Sequence, residues 1–179
     1  MRGRKRTMPS PLKPTNGPPA AITAATAADA EALASLYADA LPPGWPAHEL
    51  AAACGDPNRA VLKAADGADV HGFLILQFAA DEAEILGLAV AKDQRRLGHA
   101  ASLLRQGISL CQNRFISCIY LEVAESNEPA RRLYEKFGFV LTGRRNNYYS
   151  SLRSASETAI LMKRDQKLPL PVDLEKSCT

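Results

Sequence analysis

The sequence predicts a single α+β domain built on one sheet. Three observations carry this: apolar runs of strand texture crowd between Arg59 and Val90, other segments repeat their apolar residues every three or four positions, and the two kinds do not alternate as a regular strand–helix repeat. A chain of 179 residues suits one domain with tails, since domains commonly run about 100 to 150 residues. Apolar residues at 46% and charged residues at 23% are ordinary for a protein that buries a sizeable core.

Residues 1–19, rich in Pro, Gly, Lys and Arg, read as a flexible basic leader, within which Met8 is a second candidate start. The folded domain is expected over 20–165. "AAIT" opens it as a short strand, and Thr26 and Asp29 have the spacing of a capping box before a helix with apolar Ala30, Leu33, Leu36 and Tyr37. The prolines of "LPPGWP" end that helix, and a second short one covers Ala47 to Ala53. "AVLKAA", "DGAD" and "HGFLILQFA" read as strand, turn and strand. "AEILGLAV" is a third strand of this group, with Gly87 inside it, where a strand glycine marks a bulge or the close approach of another backbone or a ligand.

Leu97, Ala101, Leu104, Ile108, Cys111 and Phe115 alternate spacings of four and three, which predicts a helix from about Gly98 with that stripe turned to the core. "CIYLEV" is a strand with Ile119, Leu121 and Val123 on one face and Tyr120 and Glu122 on the other. "SNEPARRLYEKFGF" carries an Asn cap, a first-turn Pro, apolar Ala130, Leu133 and Phe137, and Gly138 as the stop. Strands over Phe139 to Arg145 and Thr158 to Lys163 flank a polar loop, and 166–179 form a tail without usable periodicity.

Arg2, Arg4, Lys5, Arg6 and Lys13 precede the first acid, Asp29, so of the formal charge of +3 the remainder carries −2. The expected folded part is therefore mildly acidic and shows no basic face for nucleic acid. No run approaches the roughly 18 to 20 apolar residues of a membrane span, and the leader lacks the apolar core of a secretory signal. Cys54, Cys111, Cys118 and Cys178 have neither CxxC spacing nor scaffold density, and no HExxH-like spacing suggests a metal. Reduced thiols in a cytoplasm are expected.

"AVAKDQRRLGHAASLL" places arginines, a glycine and a small residue where a strand gives way to a helix. Unpaired N–H groups and the helix dipole favour an anion there. Gly98 keeps a Cβ out of the way, Ala100 keeps the next approach small, and Arg95 and Arg96 offer charge-assisted hydrogen bonds to phosphate. The R-x-x-G-x-A spacing is short, and neither a P-loop nor a GxGxxG turn is present.

Taken together, "LAV", "RRLGHA", "LEVAESNEPARRLYEKFGF" and "RRNNYY…ETAILM", over Asp81 to Met162, resemble the GNAT acetyltransferase superfamily, and within it the bacterial ribosomal-protein-alanine N-acetyltransferases. The resemblance implies a GNAT-like mixed, mostly antiparallel central sheet flanked by helices on both faces. It implies acetyl-coenzyme A as co-substrate, without a metal, its pantetheine lying along the backbone of Leu88, Ala89 and Val90 and its diphosphate on the turn of Arg95, Arg96, Leu97, Gly98, His99 and Ala100. Asn127 matches the family position that contacts the pantetheine arm. Gly87 would belong to the bulge that splays this strand from its neighbour. Ala100 and Ala101 depart from the Gly and Arg common in this subfamily.

Acetyl transfer to an amine needs the amine neutral, whereas an α-amino group titrates at about 7.7 to 8.0. The strand pattern alone accounts for Glu122 as an exposed carboxylate, and the resemblance implies a general base. Spacing alone makes Tyr134 a core aromatic, and the resemblance implies the acid that protonates the leaving thiolate. Trp45, Tyr148 and Tyr149 serve equally as walls of an acceptor cleft or as loop and strand-edge anchors. Three functions follow: an N-acetyltransferase acting on a protein N-terminus such as that of a ribosomal protein, the same enzyme acting on a small amine, or a coenzyme A-binding module without turnover. The sequence offers no sign of a direct nucleic-acid or membrane partner.

Overall fold

The computed structural model describes residues 20–146 and 158–166. The leader, Tyr148, Tyr149 and Cys178 lie outside these residues. Among the described residues, seven strands form one sheet in the order β1-β2-β3-β4-β5-β7-β6. They are β1 (Ala21–Ala24), β2 (Arg59–Asp66), β3 (Asp69–Ala79), β4 (Glu82–Val90), β5 (Cys118–Ala124), β6 (Val140–Arg145) and β7 (Ala159–Asp165). Every pairing is antiparallel except β4 with β5. The helices are α1 (Ala30–Ala40), α2 (Ala47–Gly55), α3 (His99–Asn113) and α4 (Glu128–Lys136).

Strand alternation divides the core into two. On one face, Leu74, Leu76 and Phe78 of β3 join Ile85, Leu121 and Val123 against Leu103, Leu104 and Ile108 of α3 and Tyr134 of α4. On the other, Phe73 and Ile75 of β3 join Val61 and Ala89 against Leu33, Leu36 and Tyr37 of α1 and Leu50 of α2. Period-two alternation is what lets one strand serve both cores. The expected helices on both faces of a mostly antiparallel sheet are thus observed.

The stripe expected on α3 is only partly the buried one. Leu97 precedes the helix and is exposed, and Phe115 follows it with a left-handed backbone and an exposed ring. Leu103, Gly107 and His99 take their places beside Leu104, Ile108 and Cys111. Gly107 faces Leu74, whose Cδ2 stands 2.4 Å from where a Cβ would sit. Gly107→Ala is therefore expected to destabilise the fold by about 1 to 3 kcal/mol, read as a lowered midpoint in urea, because the packed Leu74 must shift.

Asp29 ends a 3-10 turn (Ala27–Asp29) that leads into α1. Its carboxylate accepts from the Thr26 N–H at 2.8 Å and the Thr26 hydroxyl at 3.0 Å, and also from Lys63 Nζ on β2. The hydrogen bond from Lys63, then that from the Thr26 N–H, holds its carboxyl below the ordinary value of 3.8. A depressed folded value makes the stabilisation fully present above the unfolded value and lost as pH falls through the folded one. The gap in melting temperature between the native chain and Asp29→Asn should accordingly be constant near neutrality and narrow below about pH 4.

Candidate active site

The parallel pairing of β4 and β5 covers only Glu82–Ile85 against Cys118–Leu121. Beyond it the strands part. In the β3–β4 register Leu76 faces Ile85 and Ile75 faces Gly87, so Leu86 is the extra residue of a bulge. A bulge bends its strand and sharpens the twist. β4 continues beside β3, with Leu88, Ala89 and Val90 opposite Leu74, Phe73 and Gly72, while β5 continues beside β7. A wedge results, walled by Leu88–Val90 on one side and Glu122–Ala124 on the other. The bulge expected at Gly87 falls one residue earlier, and packing explains the glycine: a Cβ there would lie 3.3 Å from both the Phe73 ring and the Tyr37 hydroxyl.

At the wide end of the wedge, β4 leads through a 3-10 turn (Lys92–Gln94) into the loop before α3. Arg95 Nε donates to the Val90 carbonyl at 3.2 Å, tying the loop to the strand end. Arg96 and Gly98 both have left-handed backbones, with φ of 67° and 89°. Such conformations concentrate where backbone N–H groups form a concavity for an anion. Among the described residues, no side chain caps α3, and nothing stands within 4 Å of where a Cβ on Gly98 would project. Arg95, Arg96 and Leu97 are exposed and Ala100 is half-buried. This turn fits a diphosphate. The side chain of His99 does not face it openly: the imidazole is buried and stacks on His71 of β3 at 5.6 Å. Burial first, and then His71, holds it below its ordinary value, so it is neutral at pH 7 and contributes no cation to the turn.

Glu122 projects from the β5 face opposite Leu121 and Val123, as expected, into an open cavity of about 350 Å³. Glu82 and Glu84 of β4, Tyr120 of β5, Thr142 of β6 and Leu161 of β7 also line it. The Arg145 guanidinium reaches Glu122 Oε1 at 3.1 Å. Tyr134 lies in the core on the other face of β5, only 6% exposed, its ring edge-on to Phe139 at 5.6 Å. The two candidate proton-transfer residues therefore stand on opposite faces of one wall of the wedge. Asn127, immediately beyond β5, is exposed and caps α4, its Oδ1 accepting the Ala130 N–H at 3.3 Å.

Trp45 stacks on Tyr37 at 6.1 Å with the Arg59 guanidinium 5.3 Å from its ring. It anchors the α1–α2 loop near the bulge. Sequence reasoning missed Glu84, Arg145 and the Tyr37–Phe73 stack. The alternation of "AEIL" marks Glu84 as outward-facing, but nothing local ties it or Arg145 to Glu122. Among the described residues, no group of three or more His, Cys, Asp and Glu is placed to hold a metal, and no helix is long and apolar enough to cross a membrane.

Comparison with known proteins places this architecture. The acetyltransferase (GNAT) family matches residues 30–139. A [ribosomal protein bS18]-alanine N-acetyltransferase from Haemophilus ducreyi is 37% identical over 101 residues, covering 56% of this chain and 70% of that protein. The crystal structure of the ribosomal-protein-S18-alanine N-acetyltransferase from Escherichia coli superposes with a TM-score of 0.76 at 27% identity, over 86% of this chain and 97% of that one. A putative streptothricin acetyltransferase from Bacillus anthracis, solved in complex with acetyl coenzyme A, has a TM-score of 0.56 at 28% identity, covering 62% and 64% of the two chains. The chain belongs to the GNAT acetyltransferase family and is an acetyl-coenzyme A-dependent N-acetyltransferase.

Proposed function

We propose that this enzyme acetylates the α-amino group of a protein N-terminus, of the ribosomal-protein-alanine type, with Glu122 as general base and Tyr134 as general acid, in the cytoplasm. The observation that carries the chemistry is the wedge between β4 and β5, with a carboxylate on one face of its β5 wall and a phenol packed on the other. The likeness to bS18-alanine N-acetyltransferases supports the acceptor class.

When bound, acetyl-coenzyme A supplies the acetyl group as a thioester. Leu88, Ala89 and Val90 would hold the pantetheine along their main chain, with Asn127 across the wedge. The turn from Arg95 to Ala100 would hold the diphosphate through backbone N–H groups and the two guanidiniums. Glu122 would take a proton from the acceptor amine on the cavity side, directly or through a water. Tyr134 would give its hydroxyl proton to the departing sulfur from the other side. Direct attack needs no covalent bond to the protein, and the described cysteines suit that: Cys111 is buried and burial pushes its thiol up to about 11.

Gly98→Val puts a β-branched residue at φ 89°, a strained conformation costing about 1 to 3 kcal/mol. The dissociation constant for coenzyme A is expected to rise about tenfold or more by calorimetry. The acceptor is tested by following thiol release from acetyl-coenzyme A with an Ala-starting peptide and with a panel of small amines. Release with the peptide supports the proposal. Release with small amines alone overturns it in favour of the second reading, which the likeness to the streptothricin enzyme favours. Binding without release from any acceptor would leave a coenzyme A-binding module.

A further inference from the structure

Resting on the reading of Glu122 as the base, we propose that Arg145 and Glu84 are opposed positioning residues for it, the guanidinium holding its carboxylate in place and the second carboxylate weakening that hold. Arg145 is the last residue of β6 and pairs with Ala159 of β7, whereas Glu122 pairs with Leu161 on the other side of β7. The arginine therefore reaches across a whole strand, roughly two inter-strand spacings of 4.7–4.9 Å, to meet Glu122 Oε1 at 3.1 Å. The Glu122 side chain is 21% exposed and that of Arg145 52%, so the carboxylate end of the pair is the sheltered one.

Glu84 approaches from the opposite strand. It faces Tyr120 in the β4–β5 pairing, two residues before Glu122, and both carboxylates line the same cavity. Glu84 is exposed as a residue, yet partial desolvation, and then the charge of Glu122, pushes its carboxyl up, with Arg145 pulling the other way. A coulombic interaction is mutual, so Glu84 repels the charged form of Glu122 as Glu122 repels its own. Two further charged groups on this face have partners of their own: Glu82 accepts from the Tyr120 hydroxyl at 3.1 Å, and Lys163 pairs with Asp165 at 2.8 Å.

The chemistry asks both things of this base. Its oxygen must be held ready when the amine arrives, which the arginine 3.1 Å away secures. It must also draw a proton from that amine and pass it to water in each turnover, and a carboxylate held too firmly by a cation is a poor acceptor. Opposed charges on neighbouring strands reconcile the two demands.

The test is the pH profile of kcat/KM for thiol release, measured for Arg145→Gln, Arg145→Lys and Glu84→Gln. Arg145→Gln should move the acid limb up and Glu84→Gln should move it down, with Arg145→Lys restoring it toward the native position. Coenzyme A affinity should stay unchanged throughout. A uniform loss of kcat with the limb in place, or limbs moving in the same direction, would overturn the proposal. Glu84 is exposed and its glutamine variant is expected to fold, so a limb that stays put in that variant alone suffices to overturn it. Glu122→Gln separates the two levels: a slow Glu122→Gln enzyme with unmoved limbs removes only the positioning roles, whereas a fully active one removes the base itself.

Discussion

Glu122→Gln is expected to lower kcat by about 10²- to 10⁴-fold while coenzyme A binds as before. The amide keeps the size of the side chain and its place on β5 but cannot take a proton from the acceptor. The cofactor contacts proposed for Leu88–Val90 and the turn of Arg95–Ala100 lie on other elements, so calorimetric titration of coenzyme A should be indistinguishable from the native protein. Tyr134→Phe forms the companion variant. Its ring can still meet Phe139 edge-on in the core, so slow turnover with intact folding would report the lost proton rather than lost packing. Should either variant bind coenzyme A poorly, its residue is structural and the proton-transfer assignment falls.

The largest stability effect is expected at Phe73. Its side chain is fully buried, stacks on Tyr37 at 5.0 Å and lies against the backbone of Gly87, just past the bulge. Phe73→Ala should destabilise the fold by about 3 to 5 kcal/mol, from lost transfer energy plus the cavity left behind. For a domain of this size the melting temperature would fall by about 6 to 20 °C. Because the ring supports the part of β4 that has left β5, coenzyme A should bind more weakly at temperatures where the variant is still folded. A variant that melts lower yet binds coenzyme A normally would show that the wedge wall stands without this stack.

Much of the fold was legible because its signals are local. The prolines after α1, the Asn127 cap and the Gly138 stop act within a few residues, and each stands where the pattern puts it. The strand alternation of "CIYLEV" likewise assigned Glu122 to the face away from Leu121 and Val123. On α3 the same reasoning failed at both ends. Leu97 and Phe115 fit the helical spacing, but the helix begins after the first and ends before the second, and the backbone of Phe115 turns left-handed. Gly107, which has no side chain to register as apolar, is buried because Leu74 fills the space its Cβ would need.

What the sequence by itself determined is the order of elements, the faces of the strands and a tight turn at Gly98 before α3, since backbone sterics, capping and periodicity act over a few residues. The tertiary structure alone decided that the bulge falls at Leu86, that β4 parts from β5, and that Arg145 and Glu84 converge on Glu122 from two other strands. Register between strands depends on the summed packing of side chains from across the whole sheet, and that sum has no signature in any single stretch of chain.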